Sequence, residues 1–560
     1  MNTAYGNSSL PPSDLRVGGI RLAHNRLKVA VFVFLLAFLL MAARTVELGV
    51  RSGVVKKDLA LDIVVEPVKY GRADILDRNG EILATSLPST LLQADRAKLG
   101  DPVVAARQLD KIFPQVSYET LYAKLVGGKG YVELVRQLTP NQKWAINAIG
   151  NPAFEFLEDE ERIYPHGRLA AHVLGFVNVD GKGQRGIEGF LDYRLSQEDQ
   201  VQEAVRLSLD IRVQYALTYE LRAAMNAFQA QGAAGLVMDV NTGEVLAMVS
   251  LPDYDPSEIQ ASPKASRFNR AAQGVYELGS TFKTFTLANA LDNGVVDLTD
   301  SFDASRPLRV GRFSINDDHP KNRVLTVPEI YTYSSNIGTA QIALEIGKVQ
   351  QERFLGSLGL LERAIIELSA IGAPQLPSTW GKATVMTVAY GHGIAVSPLQ
   401  LVRGIAAMVN GGRLVPATLI HNSDGWREGK RVIKPSTSRK IRQLMRMVVT
   451  KGTGKYADAI GYRVGGKTGT ANISSAGGYD RKKKISSFVG VFPMDDPQYI
   501  VFALLDQPNG TKKTFGFSGG GWVAAPVVKS VIARTAPLLG IAPKKEDTSL
   551  YETVSLMIEE

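Results

Sequence analysis

The sequence predicts an α+β fold: a central antiparallel sheet flanked by helices, with an all-helical part inserted between its strands. Residues 234–249 are typical of a hairpin, because two apolar runs surround an Asn-Thr-Gly turn. Helical patterns follow from residue 280 to about 450. Strand-like runs then return, and a closing helix ends the pattern: residues 463–473, 485–492, 499–506 and, for the helix, 523–536. This order of elements is typical of a sheet with helices on its faces.

The first fifty residues predict a membrane anchor. Residues 29–43 are apolar and uncharged, and the run reaches the roughly 20 residues of a membrane helix when its flanks are counted. A buried core helix and a cleaved signal peptide are the alternatives. A Gly/Ser/Pro-rich stretch before the run argues against the first, and Met41-Ala42-Ala43 fits a cleavage site poorly. We expect a cytoplasmic tail over residues 1–28, where basic residues outnumber acidic ones, and a retained transmembrane helix over residues 29–48.

The remaining chain is expected to divide into two domains and a tail. Residues 49–205 mix strand-like runs with helical stretches, such as 102–113 and 141–149, and contain no catalytic motif. A second domain is predicted over residues 206–543. The charged segment 544–560 is predicted to fray.

Ser280-Thr281-Phe282-Lys283 is the only S-x-x-K motif in the chain. A serine hydroxyl needs an adjacent base, and a lysine can be that base only where burial or a positive field disfavours its ammonium form. Residues i and i+3 share one helix face, so Ser280 and Lys283 are expected to meet where an apolar helix begins. The alternative for this motif alone is an N-capping serine with a solvent-facing lysine.

Lys467-Thr468-Gly469 is the only K-T-G motif, and residues 463–471 predict a strand edge. The lysine and threonine offer a charge and a hydroxyl to a carboxylate, and the glycine lets another backbone approach. A Gly-rich turn with a surface lysine is the alternative for the triad alone. The two motifs together favour a serine acyl-transfer site. The basic run 481–484 is predicted in a Gly/Ser loop just after the triad, and such runs are usually solvated. A role for it near the acceptor strand is a hypothesis that rests only on its proximity to Lys467.

An S-x-N motif occurs twice, at Ser314-Ile315-Asn316 and at Ser334-Ser335-Asn336. We prefer the second, because a predicted helix follows it and places the motif on a loop between helices. The first lies in a polar stretch and predicts a turn.

The set S-T-F-K, S-S-N and K-T-G-T resembles class B penicillin-binding proteins, the monofunctional peptidoglycan D,D-transpeptidases. Further similar segments extend the resemblance over roughly residues 45–540: 72–80, 162–165, 183–188 and 390–400. Ala73 stands where the family usually has glycine and Leu278 where it has proline, and neither change removes a reacting atom. Gly391-His392-Gly393 before residues 397–400 is more similar to the division-specific (septal) type than to the elongation type.

The resemblance implies a role for each motif residue. Ser280 attacks the D-Ala-D-Ala carbonyl of a peptidoglycan stem peptide, Lys283 is the base, and Ser334 relays the proton to the leaving amine. A second set is implied in substrate binding: Asn336, Lys467, Thr468, Gly469 and Thr470. The main-chain N–H groups of Ser280 and Thr470 would form the oxyanion hole. Residues 49–205 would be the family's N-terminal pedestal.

The resemblance also implies partners and a location. The partners are stem peptides, β-lactam antibiotics, membrane lipid, a membrane peptidoglycan glycosyltransferase and other division proteins. The protein would be a single-pass protein of the bacterial cytoplasmic membrane with a periplasmic catalytic domain. A membrane β-lactam sensor, a β-lactamase and an inactive scaffold are the alternatives outside the transpeptidases.

The amino-acid composition excludes some kinds of catalytic and binding site. The chain of 560 residues has a formal charge of +9 and no cysteine, so a thiol nucleophile and disulfides are excluded. The six histidines show no paired metal-ligand spacing, and we expect no metal and no organic cofactor. The basic residues are dispersed and accompany no recognised nucleic-acid motif, so we expect no nucleic-acid partner. The charge suits anionic lipid and wall polymer.

Overall fold

The computed structural model describes residues 28–29, 31–47, 71–197, 203–311, 313–423, 425, 428–475 and 478–544, in two compact units that comprise residues 1–70 and 71–560. In the first unit residues 31–47 are helical and expose apolar side chains such as Phe34 and Leu39. Among the described residues, no helix combines the length and the apolar character that crossing a membrane requires. Residues 1–27 and 545–560, which hold nearly all of the two predicted tails, lie outside the described residues.

The first domain of the second unit contains a five-stranded mixed sheet. Its strands are β1 (Ile75–Leu76), β2 (Ile82–Asp95), β3 (Tyr131–Val135), β4 (Phe154–Ile163) and β5 (Val205–Arg206). Its helices are α1 (Pro102–Ile112), α2 (Tyr118–Val126), α3 (Pro140–Ile149), α4 (Ala171–Leu174), α5 (Gly186–Phe190) and α6 (Asp192–Leu195). The side chains of Asp101 and Thr139 accept main-chain hydrogen bonds at the starts of α1 and α3, which explains where these two predicted helices begin.

Three sequence segments of this domain converge on one buried carboxylate. Glu188 is fully buried and accepts hydrogen bonds from Nε of Arg72 at 2.5 Å and from Nε of Arg162 at 2.8 Å. Charged groups this deeply buried need such partners. The domain also contacts the second one directly, since the Ile211 main-chain N–H donates to Asp77 at 3.2 Å.

The strands of the second domain are β6 (Gly232–Asp239), β7 (Val245–Leu251), β8 (Ser301–Asp303), β9 (Leu308–Val310), β10 (Phe313–Ile315), β11 (Val324–Thr326), β12 (Arg413–Leu414), β13 (Lys430–Arg431), β14 (Gly465–Ser475), β15 (Gly478–Phe492) and β16 (Tyr499–Asp506). The main sheet is antiparallel, in the order β14-β15-β16-β6-β7. Alternate residues of β6 face two cores, with Leu236 in the larger one and Val237 in the smaller. Burial on both faces explains why this strand is a continuous apolar run.

The helices of the second domain are α7 (Ile211–Ala227), α8 (Lys283–Asp292), α9 (Val327–Thr332), α10 (Asn336–Ile346), α11 (Lys348–Ser357), α12 (Lys382–Val388), α13 (Pro398–Val409), α14 (Pro435–Thr450), α15 (Gly520–Val523) and α16 (Ala525–Thr535). Helices α7 and α16 share the smaller core with one sheet face, and α8, α13 and α14 share the larger core with the other. The predicted antiparallel sheet flanked by helices, its hairpin and its closing helix are confirmed.

Two expectations about local structure are wrong. The block after residue 280 is not all helical, because β8 pairs with β11, β9 with β10 and β12 with β13 in small ribbons. Their strands have only two or three residues, too few to show an alternating pattern. The basic run 481–484 is not in a loop but within β15, because β14 and β15 continue as a hairpin to the Ser475–Gly478 pair.

Candidate active site

Ser280 lies in a 3₁₀ turn, Gly279–Phe282, that leads directly into α8. Ser280 is half-buried, whereas the next nine helical residues, Lys283 to Leu291, are all buried. No side chain caps the turn or the helix, and Lys283 is fully buried. The alternative of a capping serine with a solvent-facing lysine is therefore excluded.

Lys283 is surrounded by oxygen atoms of the second S-x-N motif. Its Nζ donates to the carbonyl oxygen of Ser334 at 2.5 Å, to the Ser334 hydroxyl at 3.1 Å and to Oδ1 of Asn336 at 2.8 Å. The amide nitrogen of Asn336 donates to the carbonyl of Asn316 at 2.9 Å. This second bond fixes the orientation of the amide, so that its oxygen faces Lys283.

Ser334 has a left-handed backbone, with φ of 64°. Such a conformation strains a residue with a Cβ and is found at functional sites more often than elsewhere. It arises where α9 ends and α10 begins within a few residues, and Ser335 caps α10 by accepting from the Gly338 N–H at 3.0 Å. The tight turn places both Ser334 and Asn336 against α8.

The K-T-G motif lies on β14, an edge strand of the main sheet, as the sequence predicts. Lys467 is fully buried, and its Nζ donates to the Ser334 hydroxyl at 2.9 Å. The Thr468 hydroxyl lies 2.9 Å from that of Thr453, and the Thr470 hydroxyl accepts from the Gly520 N–H at 3.0 Å. The structure thus brings Lys283, Ser334, Asn336 and Lys467 into one hydrogen-bonded group.

Burial controls the charge of both lysines. It lowers the pKa of Lys283 to about 7, although the nearby carboxylates of Asp317 and Asp318 oppose the shift. Burial also lowers the pKa of Lys467 well below its usual value, and a charge on Lys283 lowers it further. Near neutral pH the pair therefore holds fewer than two protons.

Glycines let the turn at Ser280 and the strand β14 touch. Gly279 has φ of 55°, and a Cβ there would lie 2.5 Å from the carbonyl oxygen of Thr470. A Cβ on Gly469 would lie 2.4 Å from the Ser487 hydroxyl oxygen and 2.6 Å from the carbonyl oxygen of Leu278. Both contacts leave no room for a side chain, so the backbones of Ser280 and Thr470 are held as neighbours.

Asp317 is a site residue that the sequence analysis missed. Its carboxylate accepts from the Ser335 hydroxyl at 2.7 Å, from the Asn336 N–H at 2.6 Å and from the Ile337 N–H at 3.0 Å. It therefore fixes the start of α10. The first S-x-N motif is not a turn, since Ser314 and Ile315 belong to β10, and its Asn316 supports Asn336 from outside.

His392 lies beside the turn that carries Ser280. Its Nδ1 is 3.3 Å from a carboxylate oxygen of Glu277, whose other oxygen accepts from the Gly393 N–H at 3.0 Å. A Cβ on Gly391 would lie 2.2 Å from the carbonyl oxygen of Gly279. The loop 391–393 thus packs against the 3₁₀ turn that carries Ser280 and supports it. Within the described ranges, no cluster of three His, Asp or Glu side chains is placed to hold a metal ion.

Comparisons with known proteins assign both domains to one family. Residues 233–533 match the model of the penicillin binding protein transpeptidase domain, and residues 67–206 match that of the penicillin-binding protein dimerisation domain. The chain belongs to the penicillin-binding protein family, as a member that carries both domains.

Named relatives match along most of the chain. The chain is 41% identical to the probable peptidoglycan D,D-transpeptidase FtsI of Caulobacter vibrioides, over 86% of this chain and 83% of the relative. It is 33% identical to the probable peptidoglycan D,D-transpeptidase PenA of Neisseria meningitidis, over 85% and 86%. It is 29% identical to the peptidoglycan D,D-transpeptidase FtsI of Escherichia coli, over 91% and 90%.

Two solved structures share the fold. A peptidoglycan synthetase from Bifidobacterium adolescentis superposes with a TM-score of 0.67 at 22% identity, covering 86% of this chain and 97% of that one. Penicillin binding protein 3 from Mycobacterium tuberculosis, complexed with aztreonam, gives 0.66 at 24% identity, covering 84% and 97%.

Proposed function

We propose that this chain is a serine D,D-transpeptidase that cross-links peptidoglycan stem peptides through an acyl-enzyme on Ser280 and is acylated there by β-lactams. The observation that carries the proposal is the buried Lys283, which follows Ser280 by one helical turn and is held by Ser334 and Asn336. Family membership and relatives named as D,D-transpeptidases support it.

The hydrogen bonds of Lys283 suit a base. A neutral amine has two N–H donors and one lone pair. The carbonyl of Ser334 and Oδ1 of Asn336 only accept, so together they take the two donors. The lone pair is left for a hydroxyl, and during attack that hydroxyl is the one of Ser280. The transferred proton converts Lys283 to an ammonium that all three oxygens can stabilise.

Collapse of the tetrahedral intermediate needs a proton on the leaving D-Ala nitrogen. The Ser334 hydroxyl lies between Lys283 and Lys467, at 3.1 and 2.9 Å from their nitrogens. It can give its proton to the leaving amine and take one from Lys283, so we assign it the relay. The main-chain N–H groups of Ser280 and Thr470 stabilise the oxyanion.

The strand β14 binds the donor peptide. Lys467, Thr468 and Thr470 offer donors to its terminal carboxylate, Gly469 gives room for its backbone, and Asn336 holds its amide. The Thr470 hydroxyl already accepts from the Gly520 N–H, so its own proton is free to point at the carboxylate. A bound carboxylate also supplies the countercharge that raises the pKa of Lys467 and lets it keep its proton.

We assign the protein to the septal type. The sequence around Gly391-His392-Gly393 and the relatives named FtsI support this assignment over an elongation-type enzyme. We also divide the chain into a pedestal over residues 49–205 and a transpeptidase domain over residues 206–543. The family matches at residues 67–206 and 233–533 support this division.

We place the protein in the bacterial cytoplasmic membrane, with a helix over residues 29–48, a cytoplasmic N-terminus and a periplasmic catalytic domain. The exposed apolar side chains of residues 31–47 and the basic residues before them support this. Membrane lipid, a peptidoglycan glycosyltransferase and other division proteins are its proposed partners. Resistance of the membrane-bound protein to carbonate extraction, and protease access from the periplasm only, would test the placement.

The function is tested with a donor pentapeptide that ends in D-Ala-D-Ala and an amine-bearing acceptor stem peptide. The transpeptidase is expected to release D-Ala and to form a cross-linked product, and Ser280→Ala to form none. A β-lactam sensor would be acylated by penicillin yet make no product. A β-lactamase would turn penicillin over continuously. Either result would refute the proposed activity.

A further inference from the structure

We propose that four aromatic side chains beside the K-T-G strand form a platform that holds the acceptor stem peptide during cross-linking. The platform consists of Tyr456, Phe515, Phe517 and Trp522. The inference rests on the proposed function, and it adds a binding site for the second substrate to the site already described for the first.

Trp522 is the centre of the platform. The ring of Phe517 is stacked on it at 5.6 Å between centroids and 14° between planes. Tyr456 lies 4.9 Å from it and Phe515 meets it nearly edge-on at 6.1 Å. Such pairs are mutually stabilising, so the rings help to hold one another in place.

Three of the four platform rings are exposed, and the backbone is strained at one of them. Phe515 is 79% exposed, and Phe517 and Tyr456 are each 50% exposed. Phe515 also has a left-handed backbone, with φ of 52°. Contiguous exposed apolar surface marks interaction sites, and a bulky residue rarely keeps a positive φ unless its position is useful.

The platform is continuous with the substrate strand. Residues 519–521 run against β14 immediately before Trp522, and the Gly520 N–H bonds to the Thr470 hydroxyl at 3.0 Å. A Cβ on Gly521 would lie 3.5 Å from Cγ2 of Thr468 and 2.5 Å from the carbonyl oxygen of Thr453. Thr453 in turn bonds to the Thr468 hydroxyl and lies three residues before Tyr456. The aromatic rings therefore border the end of the strand where Lys467 and Thr468 bind the carboxylate of the leaving D-Ala.

The mechanism of acyl transfer indicates that the acceptor peptide binds at this end of β14. The leaving D-Ala nitrogen departs from the acyl carbon, and the acceptor nitrogen must later attack the same carbon along the same path in reverse. In that step the acceptor's C–N bond forms and the bond from carbon to Oγ of Ser280 breaks. The amine proton passes to the base and returns to Oγ. An acceptor peptide whose amine approaches the acyl carbon along this path therefore extends outward past Thr468 and over the platform.

The surface suits such a peptide. Aromatic faces pack against the methylene groups of a diamino-acid side chain and attract ammonium groups. The exposed lysines Lys455, Lys512 and Lys513 are neighbours of the platform in sequence and attract the carboxylates of a stem peptide. The platform is thus matched to an acidic peptide that carries an aliphatic amine.

The test compares two acceptors on the full-length protein in detergent. The double variant Phe515→Ala with Phe517→Ala truncates the two most exposed rings, and Tyr193→Ala, which truncates a 79% exposed ring of the first domain, is the matched control. The donor pentapeptide is offered with either an amine-bearing stem peptide or isotope-labelled D-alanine, whose incorporation into the pentapeptide reports transfer. D-alanine enters through the leaving-group site and has no peptide that would extend over the platform.

We expect the double variant to lower the ratio of transfer to hydrolysis about fivefold or more with the stem peptide, and to leave the ratio with D-alanine and the rate of penicillin acylation unchanged. An unchanged ratio with the stem peptide would overturn the proposal. An equal loss with both acceptors, or a parallel loss of acylation, would also overturn it, because the rings would then serve the donor or the fold. A wild-type protein that forms no acyl-enzyme would instead refute the proposed function beneath it.

Discussion

Lys467 donates a 2.9 Å hydrogen bond to the hydroxyl of Ser334. The same hydroxyl lies 3.1 Å from Nζ of Lys283, so one serine oxygen separates two fully buried lysines. Two ammonium groups at this spacing would repel each other without water to screen them. Burial and this repulsion favour the free amine of Lys283, which follows Ser280 by one helical turn, and the shared hydroxyl gives a proton a route away from that amine.

The first prediction concerns pH. The second-order rate constant for penicillin acylation should rise with pH through about 7 and level off above it, because burial lowers the pKa of Lys283 to about 7 and only the free amine accepts the serine proton. Stopped-flow acylation from pH about 5 to about 9 measures this, and the range brackets the transition. A rate constant that is flat over that range would contradict the role of Lys283 as base.

The second prediction concerns Asp317, which touches α10 and whose charge raises the pKa of Lys283. In Asp317→Asn the charge is lost, so the acid limb of the acylation profile should move to lower pH. The rate on the plateau should also fall about tenfold, because the start of α10 loses part of its support. The control is Asp318→Asn, since Asp318 also raises the pKa of Lys283 but is exposed. It should shift the limb less and keep the plateau rate.

Some parts of this fold and site can be predicted from the sequence, and others depend on contacts between distant segments. Ser280 and Lys283 are three residues apart where a 3₁₀ turn runs directly into α8, and the hairpin at residues 234–249 is also a local pattern, so both could be predicted from the sequence. The choice between two S-x-N motifs depended on context. The role of Asp317 depends on a tertiary contact, in which the loop that carries it meets the start of α10. No local sequence pattern predicts such a contact.

The burial of Lys467 shows the same limit. A lysine on a predicted strand edge is ordinarily solvated. Lys467 is buried because elements far away in sequence cover it, among them the turn between α9 and α10 that carries Ser334. The ribbons between residues 301 and 326 were missed for a different reason, because strands of three residues carry no periodicity.

The third prediction concerns the contact between Gly279 and Thr470. Gly279→Ala adds a Cβ that would lie 2.5 Å from the Thr470 carbonyl oxygen, so the turn at Ser280 must move away from β14. Acylation should fall at least about a hundredfold, the scale that misplacement of a catalytic group costs. Gly294→Ala is the matched control, because Gly294 also has a positive φ, of 67°, but a Cβ there meets nothing within 4 Å. Equal acylation rates in the two variants would contradict the prediction.

The fourth prediction concerns stability of the first domain. Glu188→Gln removes the buried charge that Arg72 and Arg162 share, although Arg72 keeps its ion pair with Asp192, and this should lower the free energy of unfolding by about 3–5 kcal/mol. Glu133→Gln breaks an exposed ion pair with Arg136 and should cost less than about 1 kcal/mol. Urea unfolding of the purified variants compares them. Similar midpoints for the two would show that the buried cluster is not a stabilising contact.

The role of Ser280 as nucleophile is tested by the intact mass of the full-length protein after incubation with penicillin, followed over hours beside Ser280→Ala. We expect one persistent penicilloyl adduct on the wild-type protein and none on the variant, because the hydroxyl of Ser280 is the nucleophile. An adduct that survives the substitution, or a folded wild-type protein that never acquires one, would contradict it.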